Sequence, residues 1–231
     1  MHTLHIEPHA FSSKLSEIIL GGQDGLVNVL GVILGVATAS GEIRIILAAG
    51  LAATFAESIS MAAALYTSGL ADKAHYEAEL VREKREMKEV PEVERQEIRD
   101  IYKAKGFEGK LLEDIVKHIT ADEKLWLTTM MTEELNLLPV HTKDIVNNSL
   151  IVGLAVAIGS LIPLAPFFVL PVHQGIIVAI VLSSFSLFAI GIYKAKATLG
   201  KPVKSGLEMA IIGMGAAVVG YVIGLLFKAP V

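Results

Sequence analysis

Two carboxylates, Asp24 and Glu57, stand inside stretches that are otherwise uncharged and long enough to cross a bilayer. An ionised side chain at mid-bilayer costs roughly 2.5–3.5 kcal/mol on insertion scales, so a pair of them points to a use. Helical spacing gathers companions around each. Asp24, Asn28, Gly31 and Gly35 recur at intervals of four, three and four and so share a helical face. Glu57 and Met61 lie one turn apart and project together. A carboxylate beside a thioether suits a divalent transition metal better than sodium or magnesium, which prefer oxygen shells. The plainer alternatives are a structural hydrogen bond or a snorkelling side chain for each acid, and ordinary packing for Met61.

A second set of metal-compatible side chains lies in a polar stretch. Glu79, Glu83 and Glu86 form an i, i+4, i+7 stripe, Glu94 and Glu97 sit three apart, and Met130, Met131 and Glu134 follow. Singly, each acid reads as part of a solvated face, with Lys and Arg interleaved. His2, His5 and His9 read as a polar tail, and His75 with Glu79 as a surface pair. There is no HExxH, no phosphate-binding GxxxxGK[ST] and no GxSxG. The absence of cysteine excludes disulfides, iron–sulfur clusters and thiolate metal sites.

The elements that must hold these residues are membrane helices. Of 231 residues, 53% are hydrophobic, and mean hydropathy is +0.58, more apolar surface than a soluble core of this size hides. Apolar runs with at most one interior charge predict five spans, near Ser16–Ala39, Ile45–Ala71, Ile145–Ile162, Gln174–Tyr193 and Glu208–Phe227. Ser40-Gly41-Glu42 makes the first turn, and Pro163, Pro166 and Pro171 divide the third span from the fourth. The fold class is therefore an all-α membrane protein with five transmembrane helices and a cytosolic helical insert between the second and third. Its divisions are 1–71, 72–144 and 145–231.

Within the insert, DKAHYEAELVREKREMKEV lacks a helix breaker, so the second span continues as one long helix. Pro91 suits the first turn of the next helix, Gly106 and Gly109 bracket a break, and Thr120 with Glu123 predicts a capped helix over Ala121–Leu137. With the N-terminus inside, eighteen of the twenty Lys and Arg fall on the inner side. A net charge of −4 gives no polybasic field for nucleic acid, and no signal or transit peptide is evident. Gly21/Gly25, Gly31/Gly35 and Gly220/Gly224 are GxxxG pairs, suited equally to packing within one subunit or to a dimer interface. Five helices enclose a pore poorly alone, which favours a homodimer.

The run AESISMAAALYTSGLADKAHYEAELVREKREMKEVPEVERQEI, with GGQDGL before it and LTTMMTEELNL after it, resembles the vacuolar iron transporter family, which includes the yeast-type calcium-cross-complementer transporters. The resemblance covers essentially the whole chain, LIPLAPFF included. It implies a homodimer with the path between subunits, lined by the first helices, and export of Fe²⁺, with Mn²⁺ and other divalent metals, in exchange for protons. It matches Asp24 and Met61 to the pore, and Glu83, Glu86, Glu94, Glu97, Met130, Met131 and Glu134 to the metal ligands of the cytosolic domain, with Glu79 one turn before them. The plant relative carries its second-helix glutamate where this chain has Ala53, so Glu57 stands one turn nearer Met61.

The expected mechanism is capture of cytosolic metal on the insert, followed by passage between Met61, Asp24 and Glu57. The partners are then divalent metal, protons, lipid and a second copy, with no prosthetic group and Fe²⁺ as the ion carried. Rival readings are a membrane-anchored di-iron ferroxidase, a metal sensor or buffer, and a calcium exchanger. The insert lacks the Glu-x-x-His pairs that ferritin-like di-iron sites use. A prokaryotic cell membrane is the expected location, with a vacuolar membrane as the alternative.

Overall fold

The computed structural model describes residues 9–197 and 200–228; His2, His5 and the side chain of His9 lie outside the described set. Every regular element among the described residues is a helix. α1 (His9–Ser40) and α2 (Ile43–Glu89) meet at Gly41, whose φ of 65° lies in the left-handed region that glycine adopts without steric cost. α3 (Pro91–Ala104), α4 (Gly109–Thr120) and α5 (Glu123–Thr129) follow, and α5 runs into a π-helical turn over Met130–Glu134. α6 (Thr142–Leu164), a 3-10 turn at Ala165–Phe168, α7 (Val172–Ala197) and α8 (Pro202–Leu226) complete the chain.

Five of these helices are long and apolar enough to cross a membrane: α1 from Leu15, α2, α6 with its 3-10 turn, α7 and α8. The chain is an all-α, multi-pass membrane protein. At 1.5 Å per residue the 47-residue α2 is about 70 Å long, more than twice the ~30 Å hydrocarbon core, so its polar C-terminal half lies outside the lipid. The bounds differ from expectation mainly at the last span. α8 begins at Pro202 rather than Glu208, because proline fits a first helical turn and Lys204 pairs with Glu208 at 3.6 Å within the exposed polar end.

The chain divides into two compact units, one made of the residues up to Leu65 and from Asn147 onward, the other of Tyr66–Val146. In the first, Val29, Leu30, Ile33, Leu34 and Ala37 of α1 pack with Ile46, Leu164, Phe167, Ala179 and Ala217. The helices touch backbone to backbone at their glycines. A Cβ added at Gly220 would stand 2.1 Å from the Gly31 carbonyl oxygen, and one at Gly159 would stand 2.1 Å from that of Gly22. Gly21 and Gly25 lie against α6, while Gly31 and Gly35 lie against α8. Each GxxxG pair therefore serves packing within one chain.

The second unit has its own core of Met87, Ile98, Leu112, Val116, Ile119, Trp126 and Met130. Pro91 opens α3 as expected, and Gly106 and Gly109 take φ of 93° and 59° at the α3–α4 break. The Arg99 guanidinium donates to both Glu113 oxygens at 2.8 Å, tying α3 to α4. The expected helix over Ala121–Leu137 is corrected. Thr120 ends α4, its hydroxyl turned back to the Val116 carbonyl, and Asp122 caps α5 by accepting from the Leu125 amide at 2.9 Å. Both residue types can cap a helix; Asp122 sits at the position from which its oxygen reaches the third amide of the turn.

Candidate metal-ion sites

α1 and α2 together line a groove of about 540 Å³ in the membrane unit. It is faced by Asp24 and Asn28 from α1 and by Ala53, Glu57, Ser60 and Met61 from α2. All four residues expected at the pore are therefore brought together, and the vacant Ala53 position opens on the same groove as Glu57. The Asn28 side-chain amide donates to Glu57 Oε1, joining the two helices. Small side chains at Ala53, Ala56 and Ser60 keep the groove open. Asn28, Gly31 and Gly35 keep the expected common face, lining one cavity, and at its two glycines that face of α1 meets α8.

In the polar unit, Glu83 and Glu86 of α2 and Glu94 of α3 each turn a carboxylate oxygen to a common point, with those atoms all within 4.8 Å of one another. Glu83 is 1% exposed and Glu94 3% exposed. One oxygen of each is buried and accepts no hydrogen bond from any described residue. A buried carboxylate oxygen without a partner costs free energy unless something positive meets it. Three converging glutamates with two such oxygens form a donor set for a hard or borderline divalent cation.

Of the remaining expected ligands, Glu97 and Glu134 lie close enough to act on this cluster, while Met130 belongs to the polar unit's hydrophobic core. Burial, then the charges of Glu97 and Glu83, push the Glu94 carboxyl up to about 7. Partial burial, then the same two neighbours, push Glu134 up to about 7, although it lies at the exposed edge. Glu97, half-buried, is raised by burial and then by Glu86. Met130 and Met131 are fully buried at the start of the π-helical turn, which packs against α3. One extra residue per turn is the usual mark of a π-bulge at a functional site. Glu79 does not join the three converging oxygens; it pairs with Arg82 at 3.0 Å. Arg82 itself was not singled out in the sequence, although it stands three residues after Glu79 and four before Glu86 on the acidic stripe.

Residues 15–225 match the VIT family. The chain belongs to that family. Across 94% of its length it is 32% identical to "Vacuolar iron transporter 1" of Tulipa gesneriana and 30% identical to "Vacuolar iron transporter 1" of Arabidopsis thaliana, covering 89% and 88% of those proteins. A "Vacuolar iron transporter" of Plasmodium falciparum is 28% identical over 97% of this chain and 86% of its own. These VIT relatives are named as transporters and not as enzymes, and the ferroxidase reading falls with them. They are eukaryotic and named for the vacuole, so the expected prokaryotic location is not borne out.

Proposed function

We propose that this protein carries Fe²⁺, and also Mn²⁺, out of the cytosol in exchange for protons, along a path at a homodimer interface lined by α1. The observation that carries the reading is the groove at membrane depth holding Asp24, Glu57, Asn28 and Met61, in a VIT family chain whose relatives are named iron transporters. Carboxylates and a thioether supply the mixed donor set that a borderline divalent ion accepts. Glu57 stands in for the carboxylate missing at Ala53. Its presence on the same groove supports that substitution.

Residues 72–144 act as a cytosolic metal-collecting domain between the membrane segments 1–71 and 145–231, an orientation supported by the Lys and Arg bias. Glu83, Glu86, Glu94, Glu97 and Glu134 receive the ion, and Met130 and Met131 favour softer metals over magnesium and calcium. When the metal leaves a site, a proton replaces it as the neutralising cation, which is the physical basis of exchange. The dimer reading is supported by α1, which leaves Asn28 and Val32 on an exposed side.

The test is metal-competition flux into proteoliposomes with a pH dye inside. Wild type takes up Fe²⁺ and Mn²⁺ and moves protons the other way, and Asp24→Asn stops both. Metal binding with no flux at any proton gradient would leave a sensor or buffer instead.

A further inference from the structure

Arg82 is a half-exposed cation within the acidic cluster of the polar unit. Its Nη1 lies 3.0 Å from Glu79 Oε2, an ion pair that leaves this buried oxygen without a hydrogen bond, and its Nε donates to Glu86 Oε2 at 3.3 Å. Glu86 is also one of the three carboxylates converging on the candidate metal point, whereas Glu79 is not. Arg82's charge reaches further, acting on Glu97 of α3 and on Glu134 of the π-helical turn. A guanidinium keeps its proton at any ordinary pH and presents a rigid fork of donors. It is thus a resident counter-ion that holds part of the ligand set.

We propose that Arg82 is a built-in competitor of the metal: it holds Glu86 while the cluster is empty, withdraws onto Glu79 when a divalent ion arrives, and so keeps the cluster's affinity low enough for release. This rests on the reading of the cluster as a metal-collecting site. It assigns Glu79 the role of parking Arg82, not of ligating the ion. The geometry suits a swing, because one guanidinium reaches both carboxylates and its side chain is 47% exposed. Arg82 is on this account a positioning residue for Glu86. A cluster lacking it would bind metal more tightly and hand it on more slowly.

The experiment is Mn²⁺ titration of the full-length protein in detergent at pH 8, where protons compete least, with flux measured in proteoliposomes. Arg82→Gln is expected to tighten Mn²⁺ binding about three- to tenfold, the scale of one partly exposed ion pair, and to slow turnover at saturating metal. Arg82→Lys, which keeps the charge and loses the fork, should fall between the two. Glu79→Gln alone should weaken binding by leaving Arg82 wholly on Glu86. In the double variant, Glu79→Gln should have no further effect, since a residue acting only through Arg82 is silent without it.

Weaker or unchanged binding in a folded Arg82→Gln protein overturns the proposal, because loss of a merely structural ion pair does not tighten a site. Weaker binding in the double variant than in Arg82→Gln would make Glu79 a ligand and overturn its parking role. If wild type binds no Mn²⁺, or Glu94→Gln binds as wild type does, it is the collecting-site reading that fails. If wild type binds and Glu94→Gln does not, while Arg82→Gln changes nothing, only the Arg82 inference fails.

Discussion

The two acidic sites solve the problem of a low-dielectric carboxylate in opposite ways. In the membrane groove the acid is given a partner from within the protein, since Asn28 donates to Glu57 across the α1–α2 junction, and the groove stays open. In the polar unit Glu83 and Glu94 are buried almost completely and one oxygen of each goes unmet, above a hydrophobic core that holds the helices in place. A group already satisfied loses little when a cation leaves, whereas an unsatisfied one gains much when a cation arrives. The difference fits the proposed roles, passage at the first site and capture at the second.

The sharpest way to break that comparison is to remove one acid from each. Asp24→Asn should lower Fe²⁺ flux by at least tenfold while leaving Mn²⁺ binding to the polar unit unchanged. Glu94→Gln should do the reverse, weakening binding by about tenfold or more, as expected for loss of a charged buried ligand, and slowing flux chiefly at low metal. Equal effects of both substitutions on both measurements would erase the distinction.

A pH series sharpens it further. Glu94 and Glu134 hold their protons up to about 7 in the folded chain, against an ordinary value of 4.5. Between these values the folded state binds more protons than the unfolded one, so stability falls as pH rises through the window. Metal-free protein should therefore melt at a higher temperature at pH 5 than at pH 8, read by the fluorescence of Trp126, the sole tryptophan and a member of the polar unit's core. Mn²⁺ should restore the loss at pH 8, and a melting temperature flat from pH 5 to 8 would contradict the burial argument. The smallest effect is expected at Asn28. Asn28→Ala frees Glu57 from its internal donor and should change flux about two- to fivefold, the scale of one hydrogen bond, leaving metal binding to the polar unit intact.

Much of this was legible in the residues. Charge-free runs and prolines marked the spans, because lipid admits few alternatives to an apolar helix. Pro91, Gly106 and Gly109 marked the breaks in the polar segment, since each constrains the backbone locally. The i, i+4, i+7 stripe predicted that Glu83 and Glu86 share a face, but not that Glu94 from α3 would meet them, which depends on how two helices pack. The π-helical turn was not legible, because one extra residue in a helix leaves no signature in the spacing of MMTEE. Thr120 was misread as a cap because Thr and Asp share that chemistry and only the helix ends decide between them. Arg82 was hidden by its ordinariness, one base among many on a charged helix.

The glycine contacts constrain how the groove can change shape. Where Gly22 meets Gly159 and Gly31 meets Gly220, main chains abut with no compliant side chain between them, so α1 cannot roll or slide without a collision or a void. α2 is the least enclosed of the five spans, with most of its apolar window facing outward. Among the glycine contacts of the membrane unit, α2 is pinned only where Gly153 of α6 meets Ser58 and Ala62 and where Gly50 meets Leu164, so close packing fixes less of its surface than of α1's.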